Sequence, residues 1–318
     1  MDQRAFFATS RLMIVAGKGG VGKTTVTAAL ARAAATAGLQ VLVVAVEPGT
    51  NLATLVGAPA PFDDRVTVVA EDLGPAGTGS IRGRAISAGD ALAEYLGDHG
   101  LGRLVGRLLR SGVVDVVAAA APGIEDLLVL GKVKQLERSG HHDLVLLDAP
   151  AAGHAITFLQ AARGLADAVN VGPIATQAAD VLEMLADERR CRVVLVTLAE
   201  ETPVSELVEV AYTVEDRVGV AIGPIVVNGL ESQPAVLAGA PSRLAGWRAV
   251  AEDDRAALAA AGAFRRERVE AQQAQVTRLA IELPLPQLAL GFRYVAGLEA
   301  DDVYALADQL GAAIEALP

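Results

Sequence analysis

Short apolar runs alternate with longer alanine-rich stretches along most of this chain. Each run is rich in valine, leucine and isoleucine, which is the pattern of a strand buried on both faces of a sheet. The runs lie at residues 12–16, 41–46, 66–70, 144–148, 192–197 and 222–228, with one further edge or late strand at 279–283 before Pro284. Because helical stretches separate these strands, the pattern predicts an α/β fold with a mostly parallel central sheet and helices on both faces.

Two regions depart from this alternation. The first lies at about 81–138 and the second at about 235–275. The first carries apolar residues at spacings of three and four, as in Leu104, Val105 and Leu108, which is the pattern of an amphipathic helix. Both are predicted to be helical insertions in a single domain that spans residues 1–318. The stretch at 73–83 contains glycine and proline and predicts a loop before the first insertion.

Composition narrows the class of protein. Apolar residues make up 52% of the 318 residues and aromatic residues only 3%, so the core must consist mainly of alanine, valine and leucine. The formal net charge of -11 argues against nucleic acid and anionic membrane surfaces as partners. Cys191 is the only cysteine, which excludes an internal disulfide and favours a cytoplasmic setting. No apolar run reaches the ~18 residues of a membrane span, so we expect no direct membrane anchor.

A phosphate-binding motif follows the first predicted strand and precedes a helical run. The pattern G-x4-G-K-S/T is matched by Gly17, Lys18, Gly19, Gly20, Val21, Gly22, Lys23 and Thr24. Glycines let backbone amides converge on phosphates, and the helix that follows presents unpaired amides and the positive end of its dipole. We expect Lys23 to neutralise the phosphates, Thr24 to bind Mg²⁺ and Thr25 to lie near the α-phosphate. The motif therefore predicts a P-loop NTPase.

Two carboxylates stand at predicted strand ends. Asp148 ends the strand at 144–148, where this class of site needs a carboxylate to hold the hydrated metal. The segment 149–154 after it is predicted to be a switch loop. Glu47, at the tip of the second strand, is suitably placed to orient the attacking water. The alternatives are a solvated aspartate at a strand end and a surface glutamate in the turn led by Pro48 and Gly49.

The chain has only four lysines, and two of them, Lys18 and Lys23, lie in this loop. GKGGVGKT resembles the deviant phosphate loop of the ParA, MinD, nitrogenase iron protein and ArsA group. Further motifs are similar to those of the ArsA branch, which contains arsenite-pump ATPases and the guided-entry ATPases for tail-anchored membrane proteins. They are EPGTNL, PGIED, DAPAAGHAITFL, VTLAEETPVSELVEV and GPIVVNGL, within a resemblance that covers most of residues 11–230.

This resemblance implies ATP and Mg²⁺ as cofactors and a role for each matching residue. Lys18 would reach the phosphates bound by the opposite subunit of a closed dimer. Glu47 falls on the water-activating position, and Asp148 on the position linked to magnesium. Asn228 falls on the adenine contact, and Glu200 on a nucleotide-associated glutamate near the dimer interface.

Several departures from the family pattern bear on the activity. Glu47 is one methylene longer than the usual aspartate, which makes slow hydrolysis an expectation. Thr50 replaces a histidine of the first switch, and Ala151 and Ala152 replace proline and threonine of the second. The cysteines that bind arsenite, and the pair that binds zinc in eukaryotic guided-entry dimers, have no equivalents. Arsenite transport is therefore not expected.

The sequence favours a cytosolic, dimerising ATPase whose nucleotide state moves the helical region. That region would hold a hydrophobic protein client in a groove, unless its apolar face simply packs on the core. The dimer is either a homodimer or a heterodimer with an ArsA-like paralogue. The alternatives are a weakly catalytic nucleotide-binding subunit of such a heterodimer and a spatial regulator of the ParA or MinD kind. The acidic segment at 298–318 disfavours the regulator, since a membrane-binding version would end in a basic amphipathic helix.

Overall fold

The computed structural model describes residues 1–46, 50–98, 123–150, 152–169, 171–232 and 246–317. The strands are β1 (Leu12–Ala16), β2 (Gln40–Val46), β3 (Thr67–Leu73), β4 (Gly79–Ile86), β5 (Leu144–Asp148), β6 (Cys191–Leu198), β7 (Ala221–Ile222), β8 (Ile225–Leu230) and β9 (Gln287–Gly291). The helices are α1 (Gln3–Phe7), α2 (Lys23–Thr36), α3 (Leu52–Leu55), α4 (Ala88–Asp98), α5 (Ile124–Ser139), α6 (Ala152–Ala168), α7 (Pro173–Ala186), α8 (Glu201–Thr213), α9 (Glu252–Glu282) and α10 (Ala300–Glu315).

Within these ranges the strands form one mixed sheet in the order β3-β4-β2-β5-β1-β6-β8-β9, with β7 beside β6. The pairs along this path are parallel, except that β3 runs antiparallel to β4 at one edge. Strands β1 and β5 are buried along their whole length. The prediction of a mostly parallel sheet with helices on both faces is therefore confirmed.

Alternate side chains of each central strand enter two separate cores. Leu12 and Ile14 of β1 face a core that includes residues of α5 to α9, whereas Met13 and Val15 face a core that includes residues of α1, α2, α3 and α10. Helix α2 is buried on most of its surface, and seven of its fourteen residues are alanine or valine, namely Val26, Ala28, Ala29, Ala31, Ala33, Ala34 and Ala35. Small side chains allow this helix to lie close to the sheet, which positions the loop before it.

The segment at 79–86 forms strand β4, so the predictions of a loop through residue 83 and of a helix from residue 81 are wrong. Two glycines explain the difference. A Cβ atom on Gly79 would lie 1.8 Å from the Ala35 carbonyl oxygen, and one on Gly83 would lie 2.0 Å from the Phe62 ring. The strand thus passes close under α2 and Phe62, but glycines and arginines interrupt the apolar run by which a strand is recognised. The first helix of the predicted insertion begins at Ala88.

The predicted strand at 279–283 is also wrong, because these residues lie at the end of α9 and at its C-cap. Leu279 and Leu283, four residues apart, are both buried against the core. Pro284 follows the helix end, and the last strand begins three residues later. The predicted strand at 222–228 is divided into β7 and β8 at Gly223 and Pro224.

The two predicted helical insertions are described only in part. Residues 99–122 and residues 233–245 lie outside the described ranges. Helices α4 and α5 flank the first of these segments, and α9 follows the second. In the second region the helix begins at Glu252 and continues to Glu282, beyond the predicted end near 275. Among the helices in the described ranges, none is long and apolar enough to cross a membrane.

Candidate nucleotide site

The phosphate loop at residues 17–22 connects β1 to α2 at the carboxyl edge of the sheet. Strand β1 lies beside β5, and the register places Val15 opposite Asp148. On the other side of β5, Ala45 of β2 is also level with Asp148. The ends of three adjacent strands therefore meet where the loop turns into the helix.

Two glycines of the loop are required by close contacts. A Cβ atom on Gly17 would lie 2.3 Å from the Val196 carbonyl oxygen of β6. Gly22 has a φ angle of 90°, and a Cβ atom there would lie 2.3 Å from Nδ2 of Asn228. A side chain at position 17 would push the loop away from β6, whereas one at position 22 would be strained at this φ angle and would displace the Asn228 side chain.

Helix α2 begins at Lys23, and Gly22 at its N-cap provides no side-chain hydrogen bond. The amide groups of the first turn of an α-helix have no partners within the helix, and the helix dipole favours negative charge at this end. The amides are therefore available to a bound phosphate. Thr25 lies buried in this first turn. The loop and the helix start fit the phosphates of a nucleotide.

The Lys23 ammonium group lies inside the loop. Its Nζ donates a hydrogen bond to the Lys18 carbonyl oxygen at 3.1 Å, and the side chain is buried. Burial lowers the pKa of Lys23, and the negative charge of Asp148 partly opposes that shift. The loop thus holds a positive charge with little solvent around it, where its attraction to phosphate is strong.

Asp148 and Thr24 are brought together as predicted for a magnesium site. Thr24 Oγ1 donates a hydrogen bond to Asp148 Oδ2 at 2.8 Å, and Thr27 Oγ1 donates to Oδ1 at 3.2 Å. Burial raises the pKa of Asp148, while the two hydroxyl bonds and the Lys23 charge oppose the shift. A hydroxyl and a carboxylate supply the oxygen ligands that Mg²⁺ prefers, so this pair fits the metal.

Thr27 is a site residue that the sequence prediction missed. It lies three residues after Thr24 in α2, and positions three apart share one face of a helix. Its hydroxyl shares its single proton between Asp148 Oδ1 and the Lys23 carbonyl oxygen, which lies 3.0 Å from Oγ1. The helical spacing from Thr24 was therefore the signal that could have identified it.

Lys18, predicted to reach a neighbouring subunit, forms an ion pair with Glu206 of α8 in its own chain. Both side chains border a cavity of about 480 Å³ beside the loop, with apolar walls that include Val196, Leu207 and Val210. The pair joins residues separated by 188 positions. Glu206 was not predicted, because no local pattern distinguishes it from the other glutamates of α8.

The remaining predicted residues have separate surroundings. Asn228 of β8 donates from Nδ2 to the Val21 carbonyl oxygen at 2.9 Å, so it contacts the phosphate loop directly. Glu200 occupies the N-cap position of α8 at the carboxyl end of β6, where its side chain is exposed and makes no capping bond. Glu47 lies outside the described residues, directly after β2, and Ala151 of the predicted switch also lies outside them.

Comparison with known proteins matches residues 10–172, about half of the chain, to the ArsA ATPase family, described as anion-transporting ATPase. The chain is 33% identical to ATPase BagA of Mycobacterium tuberculosis over 227 residues, which are 69% of this chain and 64% of that protein. It is 29% identical over 241 residues to a Halobacterium salinarum protein whose name describes an arsenical pump-driving ATPase, covering 70% and 36%. Identity to ATPase GET3 of Blastomyces gilchristii is 28% over 165 residues, covering 50% and 44%. The chain therefore spans less than two thirds of the length of these relatives.

Proposed function

Since the chain belongs to the ArsA family of anion-transporting ATPases, we propose that it binds ATP with magnesium in the cytoplasm and hydrolyses it. The observation that carries this proposal is the convergence of three groups at the loop. Lys23 lies within the loop, and Thr24 bonds Asp148 from the start of the helix. Lys23 supplies a positive charge for the phosphates, and Thr24 and Asp148 supply oxygen ligands for the metal.

Each residue of the site has a defined task in this proposal. The chemistry that ATP and magnesium bring is the attack of water on the terminal phosphoryl group. The loop amides and Lys23 bind and orient the phosphates, and Thr24 and Asp148 would hold the hydrated metal. Glu47 would orient the water, and its position follows β2, whose Ala45 is level with Asp148. Glu200, at the end of β6, would contact the nucleotide near the subunit interface.

ATP turnover tests this function directly. We expect the wild-type protein to hydrolyse ATP with magnesium slowly, because a misplaced catalytic group costs about 100-fold in rate. Glu47→Gln removes the carboxylate and should lower kcat about tenfold or more, since positioned bases contribute at least that much. Glu71→Gln, at an exposed position of the edge strand β3, is the control and should leave the rate unchanged.

Unchanged turnover in Glu47→Gln would show that Glu47 does not orient the attacking water. ATP binding by the wild type without turnover would instead support the second candidate, a weakly catalytic subunit paired with an ArsA-like paralogue. The glutamate in place of the family's aspartate favours that candidate.

The proposed active form is a dimer in which Lys18 binds the phosphates held by the other subunit. In the single chain Lys18 is paired with Glu206, so it must leave this partner for the dimer to close. Both side chains are more than a third exposed, and exposed ion pairs contribute less than about 1 kcal/mol. The restraint is therefore weak enough for nucleotide binding to overcome.

Glu206→Gln should favour the nucleotide-dependent dimer, because it removes the charge that holds Lys18. The expected change is a decrease of about two- to fivefold in the dimer dissociation constant. It is measured by light scattering across a range of protein concentrations with magnesium and a nonhydrolysable ATP analogue. Glu209→Gln is the matched control, because Glu209 borders the same cavity from the same helix. Equal dimerisation of the two variants would contradict the restraint.

Helices α4 and α5 would carry the movement to a hydrophobic client or a partner protein. Helix α5 begins against α6, since a Cβ atom on Gly123 would lie 3.3 Å from the Ala161 Cβ. Arg84 of β4 donates to Glu94 of α4 at 3.1 Å. Because α6 follows the segment after Asp148, a change at the metal site has a short path to these helices. This path supports the coupling proposal.

A further inference from the structure

The cavity between the phosphate loop and α8 is lined mainly by apolar side chains, which include Val196 of β6 and Leu207 of α8. Its volume of about 480 Å³ lies within the range of small-molecule sites, which are largely apolar and carry a few polar groups that orient the ligand. The groups assigned to the phosphates and the metal, Lys23, Thr24 and Asp148, do not line it. The cavity is therefore a space that phosphate and metal binding do not explain.

The charged groups of this cavity are unbalanced. Lys18 is the one basic residue that lines it, whereas Glu206 and Glu209 of α8 are both acidic. Lys18 pairs with Glu206. Glu209 is exposed and forms no ion pair within the part of the chain that the structure describes. The cavity thus carries a surplus of negative charge, which favours a cation.

The Glu206 carboxylate has one oxygen without a partner. Lys18 Nζ donates to Oε1, whereas Oε2 is buried and has no hydrogen-bond partner among the described residues. Buried polar atoms of proteins are nearly always bonded, so an unbonded one indicates a missing partner. An ionised carboxylate only accepts hydrogen bonds, and the partner must therefore be a donor.

Lys18 itself shows which ligand chemistry this carboxylate accepts. Its side chain brings an ammonium group to Glu206 on an apolar stem, and both side chains of the pair are more than a third exposed. Exposed ion pairs contribute little, so another ammonium group can replace Lys18 at a small cost. A ligand that also fills the cavity gains from the burial of its apolar body, because that surface is removed from water.

We propose that this cavity binds a small molecule with an apolar body and one primary ammonium group, which bonds Glu206 and displaces Lys18. The ligand would contact the phosphate loop at Gly17 and Gly19 and, through Ile156, the first turns of the helix that follows the metal-site strand. Its binding needs no nucleotide. Only the consequence, the release of Lys18 toward a second subunit, rests on the proposed function.

The test measures the binding of phenylbutylamine and of the uncharged phenylbutanol by calorimetry without nucleotide. The wild type should bind the amine about fivefold more tightly than the alcohol, which is the upper range for a partly exposed ion pair. Glu206→Gln should abolish this preference without changing the affinity for the alcohol. Lys18→Ala removes the competing ammonium group and should raise the affinity for the amine about fivefold. Glu215→Gln is the matched control, because this exposed glutamate directly after α8 does not line the cavity.

A further variant tests the location of the site. Val210→Phe places a ring in the cavity and should weaken both probes, with the melting temperature as the check that the variant is folded. Unchanged binding to this variant would place the probes elsewhere and overturn the proposal.

The remaining outcomes are equally decisive. Equal affinity of the wild type for the two probes, or a preference for the amine that persists in Glu206→Gln, would overturn the pairing with Glu206. A lower affinity of Lys18→Ala for the amine would contradict the displacement. If amine binding is lost as the protein concentration is raised, a second copy of the chain fills the cavity and the small-molecule assignment is wrong. ATP binding is measured separately, so either proposal can fail while the other stands.

Discussion

Replacing Lys23 with alanine is expected to lower the affinity for ATP about 100-fold or more, because truncating one partner of a buried charge pair typically has that effect. The ammonium group is buried inside the loop and bonded only to the Lys18 carbonyl oxygen among the contacts of the described residues. Lys18 is the only other lysine or arginine of the loop, and it does not replace Lys23, because its side chain lies at Glu206 in the single chain and is proposed to bind the other subunit's phosphates in the dimer. Calorimetric titration with ATP and magnesium measures the loss.

Lys132→Ala is the control, because this lysine pairs with Glu94 of the helical region, away from the loop. It should bind ATP like the wild type.

The pH dependence of ATP binding gives a second test of the role of Lys23. Since burial lowers the pKa of Lys23, its ammonium group loses the proton at a lower pH than an exposed lysine.

The ATP affinity of the wild type should therefore begin to fall at a pH below the usual lysine pKa of about 10.4, and that of Lys23→Ala should not fall in this way. If the variant binds ATP as tightly as the wild type at neutral pH, the phosphate role of Lys23 is wrong.

Replacing Asp148 with asparagine should weaken the effect of magnesium on nucleotide binding and turnover by about 10- to 100-fold, the usual cost of losing a metal-orienting partner. Asparagine keeps the size of the side chain and an acceptor for the Thr24 hydroxyl but removes the charge. Affinity for ATP is measured with and without magnesium on the same sample, and the difference gives the contribution of the metal to binding. Asp143→Asn, just before β5, is the control, because Asp143 accepts a bond from the Gln40 amide and lies outside the site. A magnesium response equal to that of the wild type would exclude Asp148 as the metal-linked carboxylate.

Although Asp148→Asn should impair the magnesium response, we expect it to maintain or raise the thermal stability of the nucleotide-free protein. Burial raises the pKa of Asp148, so the folded protein holds this proton more tightly than the unfolded chain does. The free energy of unfolding contributed by this group therefore falls as the pH rises from the usual carboxyl pKa through the raised one. Asp148→Asn should match or exceed the thermal stability of the wild type near pH 8, and the difference should vanish below about pH 4. Marked destabilisation of the variant at neutral pH would contradict this reasoning.

Much of the fold could be read from the sequence because β1, β2, β5 and β6 are continuous apolar runs. Burial on both faces requires that pattern, and the structure places each strand within one residue of its prediction. The failures have a common cause. Strand β4 contains Gly79 and Gly83 because other parts of the chain approach it closely, and a glycine that serves a distant contact looks like a turn residue in the sequence. The end of α9 was misread because Leu279 and Leu283 fit a buried strand and a buried helix face equally well.

The sequence likewise identified some residues of the candidate site and missed others. The sequence by itself determined the loop, Lys23 and Thr24, because the motif is local and its chemistry follows from eight consecutive residues. It also indicated Asp148, since the carboxyl ends of parallel strands share one edge of the sheet.

Only the tertiary structure decided which groups meet across long separations. It pairs Lys18 with Glu206 and bonds Asn228 to the Val21 carbonyl oxygen. These contacts join residues that are far apart in the chain, so they depend on how the strands and helices pack, and no local pattern of residues encodes them.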